Sequence, residues 1–167
     1  MIRKIFIFLF FIGIIALFSY QGCKAPSVAS TSSLPAVELQ DLSGKRIKLS
    51  EFSGKPLILN LWATWCGPCR FEIPMLNDLY KKYSEKGLVI LGISTDEEGA
   101  PIVKDFMKET PIHYPTFVKT SGLEEKFGGI WALPTTYFYD RSGKQTDKII
   151  GVQTPEYFEK QIQRILK

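Results

Sequence analysis

Three short apolar runs punctuate the chain, at residues 56–62, 88–93 and 136–139. Consecutive hydrophobic positions over so short a length are the mark of strands covered on both faces. Between the runs, apolar residues recur every three or four positions and predict helices over 70–83, 100–108 and 123–127. A last helix starts from Thr154 as N-cap with Pro155 in its first position, and it buries a stripe of Tyr157, Phe158, Ile162, Ile165 and Leu166. Residues 37–39 and 47–49 flank Asp41-Leu42-Ser43-Gly44 and read as a small hairpin. Asp140-Arg141-Ser142-Gly143 turns the third run back into 148–152, which makes the last two strands antiparallel. Strands alternating with helices imply an α/β domain, one sheet with helices on both faces.

The first 22 residues stand apart from this pattern. Arg3 and Lys4 precede residues 5–18, which carry no charge at all. A basic start and an apolar core of that kind read as an export signal or a membrane anchor. The apolar core falls short of the roughly 20 residues of a full span, although extension through Tyr20 permits a tilted one. Arg3 and Lys4 stay on the cytoplasmic side, so everything after them is exported. Gly22-Cys23 resembles the end of a bacterial lipoprotein signal, with Cys23 as the lipid attachment point. Tyr20 and Gln21 stand where that signal usually has Leu and a small residue, so lipidation, an uncleaved anchor and an ordinary cleaved signal all stay open. Residues 23–34 are rich in Ala, Pro, Ser and Thr without periodicity and form a linker. The folded domain is 35–167.

Charge narrows the partners. Twenty-one basic against 17 acidic residues, with no basic run in the domain, gives no reason to expect nucleic acid. Three cysteines are too few for a disulfide-built fold, and with one histidine they leave no metal cage. His113, in Pro111-Ile112-His113-Tyr114-Pro115, reads as a loop side chain.

The chemistry concentrates in Cys66-Gly67-Pro68-Cys69, between a buried strand and a helix. Cys66 therefore falls at a helix N-terminus, where free N–H groups and the positive dipole end favour a thiolate. Cys69 heads the strip Cys69, Glu72/Ile73, Leu76, Leu79/Tyr80, Tyr83 that faces the core. Cys66 should thus be presented to solvent and Cys69 shielded. This suits a division of labour in which Cys66 attacks a substrate disulfide and Cys69 resolves the mixed disulfide. A structural bridge closing so short a loop would stabilise little. Half a zinc site would find only His113 as a further ligand.

Trp62-Ala63-Thr64-Trp65-Cys66-Gly67-Pro68-Cys69-Arg70, followed by Glu72 and Pro74, resembles the membrane-tethered thioredoxin-like reductases of the TlpA/ResA type. So do Gly92-Ile93-Ser94-Thr95-Asp96, Leu133-Pro134-Thr135-Thr136-Tyr137-Phe138-Tyr139-Asp140 and Ser142-Gly143-Lys144. The likeness spans residues 35–167. It implies a thioredoxin fold, a central mixed sheet flanked by helices, with an added N-terminal hairpin and a central insert at about 96–129. It further implies a cis bond at Pro134 beside the cysteines, substrate pairing along the backbone of Leu133 and Thr135, and Trp65 bordering the substrate surface with Trp62 in the core. The redox centre would be the Cys66–Cys69 disulfide itself, with no cofactor and no metal.

Where cytoplasmic thioredoxin has a buried aspartate, this chain has Asn60, which exchanges no proton. Glu72, one turn beyond Cys69, is placed to be desolvated and to relay protons to Cys69, as the resemblance also implies. A solvated first-turn glutamate is the alternative. The implied partners are oxidised proteins, an apocytochrome c among them, an integral-membrane thiol donor of the CcdA/DsbD kind, and the membrane itself. Reduction is favoured by Gly67-Pro68, the dipeptide of thioredoxin; oxidation or isomerisation is the alternative. A peroxiredoxin would need Thr where Ala63 stands, and a Sco-type copper carrier a wider cysteine spacing.

Overall fold

The computed structural model describes residues 34–167; the leader at 1–22, nearly all of the linker, and Cys23 lie outside the described residues. Seven strands make one sheet: β1 (Glu38–Asp41), β2 (Arg46–Lys48), β3 (Leu57–Trp62), β4 (Val89–Ser94), β5 (Thr116–Val118), β6 (Thr135–Tyr139) and β7 (Gln145–Ile150). Their order is β2-β1-β5-β4-β3-β6-β7. β3, β4 and β5 run parallel, and the other neighbours are antiparallel. All six residues of β3 are buried. Its pleat sends Leu57, Leu59 and Leu61 to one face, while Ile58, Asn60 and Trp62 go to the other.

Helices α1 (Gly67–Tyr83), α2 (Ala100–Glu109) and α4 (Pro155–Ile165) cover the face of Ile58 and Trp62, packing Ile73, Leu76, Val103, Phe158 and Ile162 there. The short α3 (Leu123–Lys126) covers the other face, with Leu123 and Phe127 against Leu59, Leu61, Phe117 and Tyr137. Hydrophobic burial on both faces is what makes the central strands read as unbroken apolar runs. Thr154 caps α4 as expected, its Oγ1 accepting the Tyr157 N–H at 3.3 Å, with Pro155 first in the helix. The thioredoxin fold expected for the chain is present, hairpin included.

The structure differs from the sequence reading in three places. The first long helix begins at Gly67, not near Arg70, because Gly67 and Pro68 already take helical positions one and two. β5 carries no sequence signal: Thr116-Phe117-Val118 is too short for a pattern and follows a proline. It enters the sheet because β1 and β4 pair with it on either side, so the segment expected as an insert contributes a strand. β7 starts at Gln145 and ends at Ile150, earlier than the 148–152 expected. As an edge strand it tolerates Gln, Thr, Asp and Lys, which hide it from a hydrophobicity reading.

Candidate active site

Strand β3 ends at Trp62, and four residues later the chain enters α1 with Cys66 as its N-cap. The Cys66 sulfur accepts the backbone N–H of Cys69 at 3.2 Å, one of the donors that every helix start leaves free. Cys66 and Cys69 are joined, with an S–S distance of 2.12 Å and their Cα atoms 5.3 Å apart. After reduction the same N–H and the positive end of a helix of 17 residues face the Cys66 sulfur, which favours its thiolate. Cys66 is more covered than the sequence suggests. It is 5% exposed, against 1% for Cys69. The asymmetry lies instead in access, since Cys66 opens onto a groove and Cys69 is packed in the core with Ile73 and Leu76.

That groove, of about 550 Å³, runs from Trp65, Gly67 and Pro68 to Ile130, Trp131, Ala132 and Leu133. Trp62 is fully buried, whereas Trp65 is 72% exposed. Across the groove Trp131 is 84% exposed. It leans on Gly129, where an added Cβ would come within 3.2 Å of the indole and where φ is +89°. A side chain at 129 would therefore be strained and in the way. The Leu133–Pro134 bond is cis. Leu133 faces the groove, half-buried. Thr135 lies outside it, buried in β6 between Leu61 and Ile150, with its Oγ1 donating to the Ala132 carbonyl at 2.7 Å. The Pro134 carbonyl is held by Gly151 N–H at 2.8 Å.

Glu72 sits behind the disulfide, 2% exposed. Burial pushes its carboxyl up to about 7, and the hydrogen bond from Asn60 offsets only part of that. Asn60 Nδ2 donates to Glu72 Oε2 at 2.7 Å and to Thr136 Oγ1 at 2.9 Å. Asn60 thus orients the carboxyl rather than exchanging protons itself. The solvated first-turn reading of Glu72 does not fit this burial. In front of Cys66, the buried Asp96 accepts from Thr64 Oγ1 at 2.7 Å, Thr64 N at 3.0 Å and Ser94 Oγ at 2.7 Å. Thr64 is committed to that carboxylate and is not free to serve a peroxide site. His113 is exposed in a loop, with its backbone N–H donating to Asn77 Oδ1 at 2.8 Å. Among the described residues no three His, Cys, Asp or Glu side chains cluster as metal ligands.

Sequence reasoning missed Trp131, Asp96 and Thr136 as parts of this site. Trp131 had a faint signal in its position after Gly128-Gly129 and just ahead of Leu133-Pro134. Asp96 and Thr136 stood in segments that carry the family resemblance, but nothing in the sequence pointed to their bonds with Thr64 and Asn60.

The sequence pattern of the AhpC/TSA family matches residues 31–147. The chain is 36% identical, over 97% of its own length and 94% of the relative's, to the thiol-disulfide oxidoreductase ResA of Bacillus thuringiensis subsp. konkukian. A thioredoxin-family thiol:disulfide interchange protein from Chlorobium tepidum superposes with a TM-score of 0.73 at 32% identity, covering 81% of this chain and 97% of that one. A putative DsbE from the same organism superposes with a TM-score of 0.74 at 28% identity, over 81% and 96%. With its cysteine pair at the head of α1 and relatives of this kind, the chain belongs to the AhpC/TSA family, as one of its thioredoxin-fold thiol-disulfide oxidoreductases.

Proposed function

We propose that this oxidoreductase is exported, tethered to the outer face of the cytoplasmic membrane, and works as a reductase of protein disulfides. The observation that carries the reading is the groove at Cys66, walled by exposed tryptophans, with a proton-exchanging carboxyl behind the pair. The Cys66 thiolate attacks one sulfur of the substrate disulfide. An S–S bond forms to Cys66 and the other substrate sulfur leaves as a thiolate. Glu72 takes the Cys69 proton, and the Cys69 thiolate attacks the Cys66 sulfur. The second substrate sulfur then leaves, the Cys66–Cys69 bond closes, and two electrons have passed to the substrate. Trp65, Gly67, Pro68, Leu133 and Trp131 hold the substrate chain, with Leu133 offering its backbone; Pro134 and Thr135 shape that loop from beneath.

Direction rests on Gly67-Pro68 and on the resemblance to TlpA/ResA-type reductases. A dithiol in an oxidising compartment has to be kept reduced by a dedicated donor, here an integral-membrane protein of the CcdA/DsbD kind. The tether is the N-terminal segment or a lipid on Cys23. The substrate we favour is an oxidised apocytochrome c, whose haem-attachment cysteines must be free thiols.

Insulin-disulfide reduction by the full chain should be abolished by Cys66→Ser. In the native host, Cys69→Ser should trap substrate on Cys66. Apocytochrome among the trapped proteins supports the maturation role, and its absence removes it. A wild-type pair found oxidised at steady state would turn the assignment to oxidase.

A further inference from the structure

Among the described residues, three of the buried polar atoms left without a protein partner are Glu72 Oε1, Tyr114 OH and Trp62 Nε1. An unpaired buried polar group is costly, so three in one neighbourhood call for an explanation. Their common landmark is Gly92. A Cβ there would lie 2.9 Å from Tyr114 Cε2 and 3.1 Å from Trp62 Nε1. Gly92 is directly opposite Asn60 in the β3–β4 pair, and adjacent strands are about 4.8 Å apart. Asn60 in turn holds the other oxygen of Glu72. The missing side chain at 92 is what lets the phenol and the indole lie over the sheet next to Asn60, which holds the carboxyl.

The three groups are chemically complementary. Indole N–H donates only, a protonated phenol donates, and a carboxylate oxygen accepts. We infer that the Tyr114 hydroxyl is the hydrogen-bond donor, across one water, that stabilises the ionised form of Glu72, and that Tyr114 is thereby a positioning residue for proton exchange at Cys69. Burial first, and the charge of Glu72 second, hold the Tyr114 hydroxyl well above the usual phenol range, so it remains a donor at every physiological pH. The other group bonded to Glu72 is Asn60 from β3, backed by Thr136 from β6, and Cys69 is buried one turn earlier on α1 itself. Of all these only Tyr114 and, after reduction, the cysteines titrate. The inference rests on the proton-accepting role proposed for Glu72, but it concerns a separate bond.

Tyr114→Phe removes the hydroxyl and keeps the ring. In the reduced full chain, carboxyl-carbon NMR should show the Glu72 midpoint rising by about one pH unit, a tenfold weaker acid, on loss of one donor to the charged form. An unmoved midpoint overturns the inference. Should the variant fold poorly, the unmodified chain labelled at the tyrosine Cζ serves instead. The Tyr114 signal should inflect at the Glu72 midpoint in wild type and lose that inflection in Glu72→Gln, and a flat wild-type signal overturns the inference as well. The pH profile of cysteine alkylation in Glu72→Gln is a separate readout. If it matches wild type, the proposed role of Glu72 fails, while the carboxyl and tyrosine signals still decide the bond.

Discussion

Glu72 makes the stability of this protein depend on pH in an unusual direction. Its carboxyl titrates at an ordinary 4.5 when unfolded and at about 7 in the fold, because burial disfavours the charge. Between these two values the folded chain keeps a proton that the unfolded chain has released. Stability therefore falls as pH rises from about 4.5 to about 7, and changes no further from this group above that. At about 1.36 kcal/mol per pH unit the loss is about 3 kcal/mol, a large share of a typical domain's 5–15 kcal/mol. Glu72→Gln keeps the shape and an acceptor for Asn60 but carries no charge at any pH. Denaturant unfolding of the oxidised wild type and Glu72→Gln at pH 4.5 and 8 should show the variant gaining about 3 kcal/mol relative to wild type over that interval. Every other titrating group is common to both proteins and cancels in the difference. If the two curves stay parallel within about 0.5 kcal/mol, Glu72 is ionised in the fold at ordinary pH and the argument from burial is wrong.

Trp131→Ala should leave stability within about 0.5 kcal/mol, since the indole is exposed. It should raise KM for protein disulfides about tenfold while sparing a small aromatic disulfide, and equal losses on both substrates would move Trp131 out of substrate binding. Gly92→Ala should destabilise by about 2 kcal/mol by driving a methyl into Tyr114. Much of that should return in Gly92→Ala with Tyr114→Leu; a purely additive double mutant would show that the two do not collide. Asp96→Ala frees Thr64 and Ser94 at once and should cost about 3 kcal/mol. Chemical denaturation measures it, and a loss below about 1 kcal/mol would mean that this carboxylate does not brace the segment before Cys66.

The redox centre was legible from local chemistry alone. A cysteine pair with two residues between its members, placed where an apolar strand gives way to a helix, carries its own geometry, because caps and helical spacing act over a few residues. The same short range explains Thr154 with Pro155 and the buried strands. Burial of Glu72 was legible too, since its place on the core-facing strip follows from the helical repeat. Legibility stopped where contacts join distant segments. β5 is a strand only because β1 and β4 flank it. The cover over Cys66, the seat of Trp131 on Gly129, the bonds of Asn60 to Glu72 and Thr136, and the packing of Tyr114 over Gly92 come from residues far apart in the chain. No periodicity links them, and packing across the sheet alone brings them together.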